Sequence, residues 1–217
     1  MQSELFSGIA KNEDATITLS TGAFFLRGFA EPYLDALIPD LFAVLDQAPL
    51  QQYVTRGGGK MSVHCSNCGD VGWVSDSKGY RYQAQILGAE QLWPAMPESF
   101  SNLAKAAAAQ AGYQDFEPDA ALINRYQLGN KMGLHQDKDE KDFSQPIVSL
   151  SLGATGVFLW GGKKRADKPQ KYRMQHADVI VFGGESRLNY HGVQSIDKTP
   201  HPLFANERIN ITWRKAK

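Results

Sequence analysis

The chain has 217 residues, of which 42% are hydrophobic and 21% are charged, as in a globular protein that can bury a sizeable core. Lysine plus arginine and aspartate plus glutamate are equal at 23 each, which excludes a strongly basic protein that binds nucleic acid through its overall charge. The sequence has no run long enough to span a membrane and no leader pattern at its N-terminus. We therefore expect a single cytoplasmic domain over residues 1–217, without a membrane partner.

The N-terminal half predicts a mixture of strands and helices. ATITLS and AFFLRGF are typical of short strands, and EPYLDALIPDLFAVLDQ predicts a helix with Pro32 near its first turn. Pro39 is expected to kink or split that helix. PESFSNLAKAAAAQAG predicts a second helix that ends at Gly112. We assign about residues 1–50 to an N-terminal extension.

The segment of about residues 51–90 is rich in glycine and aromatic residues and has little continuous apolar patterning. It fits an ordinary surface hairpin. It also fits a lid that presents Trp73, Tyr80 and Tyr82 to a flat substrate, because aromatic faces hold unstacked bases.

The two cysteines, Cys65 and Cys68, lie in this segment as CSNC. Such a pair can form half of a zinc site, but the sequence holds no second pair. The surrounding residues do not resemble the strand-to-helix turn of a thioredoxin-like redox site either. We expect reduced thiols.

From about residue 119 the chain predicts short strands at close spacing. They are AALINRY, PIVSLSLG, TGVFLWGG, KYRMQ, DVIVFGG, NYHGVQ and RINITWR. This pattern favours an α+β, mainly β fold, in which residues 119–217 form a jelly roll (a double-stranded β-helix). The N-terminal helices are expected to pack outside it, and a β-hairpin lid to cover it. Such a barrel can enclose a small-molecule cavity.

His135 and Asp137 in GLHQDKDE, with His191 in LNYHGV, have the spacing of an iron site with two histidines and one carboxylate. Residues two apart in an extended segment point to the same side, so His135 and Asp137 can share one metal. This ligand set leaves open positions on Fe(II) for a co-substrate and oxygen. Taken alone, the motif also fits a polar turn with unrelated histidines.

The last predicted strand, Arg208–Arg214, alternates strictly between polar and apolar residues. An ordinary edge strand between core and water would show the same alternation. Its polar face, however, carries two arginines and Asn210, and guanidinium groups form paired hydrogen bonds to carboxylates. Together with the iron motif, this face indicates a metal enzyme with an organic dicarboxylate co-substrate, for which 2-oxoglutarate is the obvious candidate.

LINRY, LHQDKDE, VSLSLG, FGGESRLNYHG and RINITWR occur in this order along the chain. With these motifs, the chain from about residue 50 onward resembles the AlkB family of Fe(II)/2-oxoglutarate dioxygenases, which reverse alkylation damage on nucleobases. The resemblance implies the cofactors Fe(II), 2-oxoglutarate and O2. It also implies demethylation of 1-methyladenine and 3-methylcytosine in single- or double-stranded DNA, or in RNA, with release of formaldehyde, succinate and CO2.

The resemblance assigns a role to each motif residue. The implied iron ligands, which with Arg214 form the catalytic centre, are His135, Asp137 and His191. The implied 2-oxoglutarate contacts are Asn124, Tyr126, Arg208, Asn210 and Arg214. The implied substrate contacts are Met61, Trp73, Tyr80, Asp139 and Arg165.

Among the substrate contacts, Trp73 would stack on the damaged base, with the ring of His135 on the other side. Asp139 would bind the exocyclic amino group, Tyr80 a phosphate or the base edge, and Arg165 a phosphate. Cys65 departs from the pattern, because a larger apolar residue is expected there.

Two other functions fit part of the sequence. A related oxygenase could hydroxylate a protein side chain or a small metabolite, and a catalytically silent barrel could bind nucleic acid. Trp73, Tyr80 and Asp139 suit a base better than a peptide, and a binding module needs no iron site with open positions. We expect a monomer.

Overall fold

The computed structural model describes residues 15–217; the first 14 residues, where the predicted N-terminal extension starts, lie outside it. The helices are α1 (Leu34–Gln47) and α2 (Glu98–Gln110). The strands are β1 (Thr16–Ser20), β2 (Ala23–Leu26), β3 (His64–Gly69), β4 (Gly72–Asp76), β5 (Gly79–Gln83), β6 (Ala120–Tyr126), β7 (Met132–His135), β8 (Ile147–Gly153), β9 (Gly156–Trp160), β10 (Gln170–Met174), β11 (Val179–Phe182), β12 (His191–Ile196) and β13 (Arg208–Arg214).

The strands form two main antiparallel sheets. The larger has seven strands in the order β1-β2-β11-β8-β13-β6-β3, and the smaller has four in the order β10-β9-β12-β7. The strands β4 and β5 pair only with each other and form a separate hairpin. The prediction of a mainly β jelly roll with helices outside it is confirmed.

The strand β13 lies in the middle of the larger sheet, between β8 and β6, and every one of its residues is buried. The alternative of a half-exposed edge strand is therefore wrong. Its apolar face packs in the main hydrophobic core, where Trp213 meets the ring of Phe100 edge-on at 5.7 Å. Its polar face points to the space between the two sheets.

The two helices cover the outer face of the larger sheet. Leu37 and Leu41 of α1 pack in the same core as Phe100 and Leu103 of α2. Pro39 lies inside α1 without splitting it. The residue is exposed, and the N–H that it lacks would have bonded a carbonyl of the first helical turn, also on the exposed side. The apolar stripe on the other side holds the helix together.

The larger sheet takes strands from all three segments into which the sequence was divided. Its strands β1 and β2 come from the first fifty residues, and β3 comes from 51–90 and pairs with β6. Within 51–90, the separate hairpin consists of β4 and β5 alone. The strand β7 has no predicted counterpart. None of the helices in residues 15–217 is long and apolar enough to cross a membrane.

We predict that Gly153→Ala destabilises the fold strongly. Gly153 pairs with Arg208 and has φ +79°, and an added Cβ would clash with the carbonyl of Glu207 and lie 2.8 Å from Phe204 Cβ. Strain and overlap together should lower the free energy of unfolding by roughly 2–4 kcal/mol. Urea unfolding followed by circular dichroism measures this.

Gly112→Ala is the matched control. Gly112 has φ +91°, but an added Cβ would meet nothing within 4 Å. The substitution should therefore lower the free energy of unfolding only by the cost of a left-handed backbone conformation, about 1–2 kcal/mol. An equal decrease in the free energy of unfolding in the two variants would show that the contacts of Gly153 with Glu207 and Phe204 do not matter for stability.

Candidate active site

A cavity of about 500 Å³ lies between the two sheets. Strands β6, β8 and β13 of the larger sheet and β7, β9 and β12 of the smaller sheet contribute to its wall. Every site residue assigned from the resemblance lines it: Met61, Trp73, Tyr80, Asn124, Tyr126, His135, Asp137, Asp139, Arg165, His191, Arg208, Asn210 and Arg214. The expectation that Tyr82 also faces the substrate is wrong, because its hydroxyl is bonded to Glu140 and the residue does not line the cavity. The roles of the individual residues remain predictions.

The candidate metal ligands are brought together by the pairing of β7 with β12. His135, the last residue of β7, lies opposite His191, the first residue of β12, and their ring centroids are 4.4 Å apart. Asp137 follows two residues after His135. One ligand atom from each of the three residues lies within 4.8 Å of the others, which is a suitable arrangement for a single ion.

Both histidine rings are oriented by backbone carbonyls. Nδ1 of His135 lies 2.9 Å from the carbonyl of Gly133, and Nδ1 of His191 lies 3.1 Å from that of Asn189. A carbonyl only accepts, so each Nδ1 carries the proton and each Nε2 has its lone pair free for a metal. Nε2 of each ring lies within 4 Å of the Asp137 carboxylate. This tautomer is the one a metal site requires.

The charge state of these groups also suits a metal. Burial, helped by His135, lowers the pKa of His191 to about 4, so the ring is neutral at pH 7. Burial alone would raise the pKa of Asp137. The charge and hydrogen bond of Arg214, together with the two neighbouring histidines, outweigh this, and the net result is a pKa of Asp137 below the usual value. The site therefore offers a neutral imidazole at His191 and a carboxylate at Asp137.

A network of buried charges holds Asp137 in place. Nη2 and Nε of Arg214 donate to Asp137 Oδ2 at 2.7 and 3.0 Å, and Nη1 of Arg187 donates to the Asp137 backbone carbonyl at 2.7 Å. Glu140 pairs with both arginines, at 3.0 Å from Arg187 and 3.3 Å from Arg214. It also accepts a hydrogen bond from Tyr82 on β5 at 2.6 Å, which ties the hairpin to the metal ligand.

Sequence reasoning missed Glu140 and Arg187. Both lie inside motifs that were recognised, LHQDKDE and FGGESRLNYHG, and each motif contains other charged residues. The sequence signal was thus present. Only burial, with Glu140 at 6% and Arg187 at 3% exposed, separates them from their solvated neighbours.

Arg208 is a buried cation on the wall of the cavity. Its side chain is 2% exposed; Nε donates to Ser151 Oγ at 2.8 Å, and the guanidinium carbon lies 5.2 Å from the centre of the Tyr126 ring. Nη1 is buried with no hydrogen-bond partner, and no carboxylate in residues 15–217 pairs with this guanidinium. A buried charge without a partner is costly, so the position suits a ligand carboxylate.

The two asparagines that face each other across β6 and β13 differ in their free hydrogen-bonding groups. Asn210 donates from Nδ2 to Ser149 Oγ and to the Leu150 carbonyl, at 2.8 and 2.9 Å, so its amide is occupied. Asn124 uses only Oδ1, which accepts from the Cys65 thiol at 3.2 Å. Of the two, Asn124 is therefore better placed to donate to a co-substrate.

The mouth of the cavity carries the aromatic residues of the hairpin. The rings of Trp73 and Tyr80 stack on each other, with centroids 5.4 Å apart and an interplanar angle of 18°. Trp73 Nε1 donates to Asp139 Oδ2 at 2.8 Å. Thus Asp139, which the resemblance assigns to a base amino group, is here bonded to the stacking residue. Arg165 is exposed at the rim and pairs with no carboxylate in the described part of the chain.

Comparison with known proteins gives a consistent answer. Residues 22–214 match the profile of the 2OG-Fe(II) oxygenase superfamily. The chain is 50% identical over 198 residues to the alpha-ketoglutarate-dependent dioxygenase AlkB of Escherichia coli (strain K12). The aligned region covers 91% of this chain and 92% of that protein. It is also 32% identical over 128 residues to the nucleic acid dioxygenase ALKBH1 of Homo sapiens, with coverage of 59% of this chain and 33% of that protein.

A solved structure of OsALKBH1 superposes with a TM-score of 0.78 at 29% identity, over 92% of this chain and 99% of that chain. The profile match extends from just before β2 to the end of β13 and therefore includes every residue that lines the cavity. The chain belongs to the 2OG-Fe(II) oxygenase superfamily and, within it, to the AlkB family of dioxygenases.

Proposed function

We propose that the protein removes methyl groups from 1-methyladenine and 3-methylcytosine in DNA or RNA, with Fe(II), 2-oxoglutarate and O2. The observation that carries the proposal is the single cavity, which joins a three-residue metal site, an unpaired buried arginine and a stacked aromatic pair at its mouth. The relatives' names, an alpha-ketoglutarate-dependent dioxygenase and a nucleic acid dioxygenase, agree with it.

Within this proposal, the metal-binding atoms are Nε2 of His135, Nε2 of His191 and the carboxylate of Asp137. Arg208 binds the distal carboxylate of 2-oxoglutarate with its unpaired Nη1, and Asn124 donates to the chelating end of the same molecule. Tyr126 covers the guanidinium of Arg208 and restricts it to one position. These groups supply binding and orientation.

Bound iron supplies the oxidative chemistry: 2-oxoglutarate and O2 become succinate and CO2, and the second oxygen atom hydroxylates the methyl carbon on the base. The resulting hydroxymethyl group leaves the nitrogen as formaldehyde. Trp73 holds the base by stacking, after the base has left its own stack at a cost of a few kcal/mol in a duplex. Asp139, beside Trp73, supplies negative charge next to a cationic base.

We predict that Asp137→Asn lowers the rate of formaldehyde release from a methylated oligonucleotide by at least about 100-fold. Substitution of groups that only support a metal ligand already lowers metal affinity or activity by about 10–100-fold, and loss of a ligand should cost more. The substitution keeps the shape but removes the charge that pairs with Arg214. Anaerobic Fe(II) and 2-oxoglutarate should then no longer give the weak visible charge-transfer band of the chelate.

Asp142→Asn is the control for this prediction. Asp142 lies in the same segment but outside the cavity, and Ser144 is its hydrogen-bond partner. Circular dichroism should show that both variants are folded. An intact band and full activity in Asp137→Asn would reject the assignment of this ligand.

We predict that Trp73→Ala weakens binding of a methylated oligonucleotide by about 5–150-fold, because stacking of one base contributes about 1–3 kcal/mol. Turnover of 2-oxoglutarate without nucleic acid should change much less. Trp73→Phe keeps a stacking ring but loses the bond to Asp139, and it should retain most of the binding. If Trp73→Ala lowers both activities equally, the stacking role is wrong.

We further propose that the enzyme is a cytoplasmic monomer. Cys65 and Cys68 are both reduced and buried, in agreement with a reducing compartment. Hydroxylation of a protein side chain is the second candidate reaction, and it would use the same metal and co-substrate groups. The stacked Trp73 and Tyr80 favour the base, because a peptide would not require two parallel aromatic faces.

A further inference from the structure

Cys65 has no role in the proposed reaction, yet it contacts Asn124, which lines the cavity. It lies on β3 directly opposite Asn124 on β6 and is fully buried. Its thiol donates to Asn124 Oδ1 at 3.2 Å. Tyr53 and Tyr126 belong to the same cluster of buried residues. The thiol is thus held in a closed environment with its hydrogen directed at one atom.

The direction of the hydrogen bond from Cys65 to Asn124 determines which end of the Asn124 carboxamide is free to bind a ligand. The ionised carboxylates and the keto group of 2-oxoglutarate only accept hydrogen bonds. A carboxamide can therefore help to bind it with Nδ2 but not with Oδ1, which would repel it. The thiol hydrogen pairs with Oδ1 and so favours the orientation that leaves Nδ2 for the ligand.

Two unpaired donors support a ligand at this place. Asn124 is 4% exposed and lines the cavity, and its Nδ2 makes no hydrogen bond to any residue in 15–217. Arg208 lines the same cavity with its unpaired Nη1. The amide of Asn210, by contrast, is already bonded to Ser149 and Leu150. An anionic ligand would satisfy both free donors.

We propose that Cys65 is a positioning residue, whose thiol fixes the carboxamide of Asn124 with Nδ2 directed at 2-oxoglutarate. The inference rests on the proposed function, since it requires Asn124 to bind the co-substrate. Burial raises the pKa of Cys65 to about 12, so the thiol keeps its hydrogen at neutral pH. The same burial keeps it from acting as a redox group.

The chain contains a matched control for this thiol. Cys68 is on the same strand and is equally buried, but it lies an odd number of residues away and therefore on the opposite face. It packs in the main core beneath the helices, near Phe100 and Leu103. Removing its sulfur costs packing without touching the cavity.

The test is the affinity for 2-oxoglutarate itself, measured by calorimetry on the Mn(II)-loaded protein without O2. Cys65→Ala should weaken binding by about 3–10-fold, the effect of one hydrogen bond. Cys65→Ser, which keeps a donor, should regain part of the affinity, and Cys68→Ala should leave it unchanged. In turnover, the KM for 2-oxoglutarate should rise in Cys65→Ala while kcat stays the same.

Asn124→Ala shows whether a negative result contradicts the co-substrate role of Asn124 or only the positioning role of Cys65. If it leaves the affinity unchanged, the proposed co-substrate role of Asn124 is wrong. If it weakens binding and Cys65→Ala does not, only the role of Cys65 is overturned. Cys65→Ala added to Asn124→Ala should have no further effect, because the thiol acts through the amide. If Cys65→Ala does not fold, Cys65→Val replaces it, because valine fills a similar space and has no hydrogen-bond donor. Its affinity for 2-oxoglutarate is then compared with that of Cys65→Ser and Cys68→Ala.

Discussion

The active site depends on one buried ion pair, between Asp137 and Arg214. Removing a carboxylate from water is costly, and so is removing a guanidinium, unless each finds a partner with good geometry. Here the two meet at 2.7 Å, and Glu140 and Arg187 complete the charge balance around them. The result is a carboxylate held at a fixed point beside two histidine nitrogens. Without this network, Asp137 would be free to turn toward solvent.

The strand β13 shows how fold stability and chemistry share one element. Because side chains alternate between faces, Trp213 packs in the core under the helices while Arg208 and Arg214 face the cavity. The strand is central, so its backbone is bonded on both sides and cannot shift without breaking two ladders. The register of β13 against β6 thus places Arg208 opposite Tyr126 and Asn210 opposite Asn124.

The alternation in Arg208–Arg214 and the spacing of His135 and Asp137 could be read from the sequence, because both follow from the two-residue period of extended chain. The strand β7 could not, since MGLH has only four residues, too few for a pattern to stand out, and it is a strand through its pairing with β12. The burial of Glu140, the full bonding of Asn210 and the bond between Trp73 and Asp139 depend on neighbours distant in sequence. A residue's type gives its chemistry, whereas only its neighbours show which groups remain free.

The hairpin is linked to the metal site by hydrogen bonds at two points. Tyr82 donates to Glu140, which also holds Arg214, and Trp73 donates to Asp139, two residues after the candidate metal ligand Asp137. In the proposed function, a base stacks on Trp73, whose indole N–H is bonded to Asp139. A cationic methylated base has a compensating attraction to the exposed carboxylate of Asp139, whereas a neutral base has none. We infer that this attraction at the mouth of the cavity contributes to the selection of damaged bases, before the metal is reached.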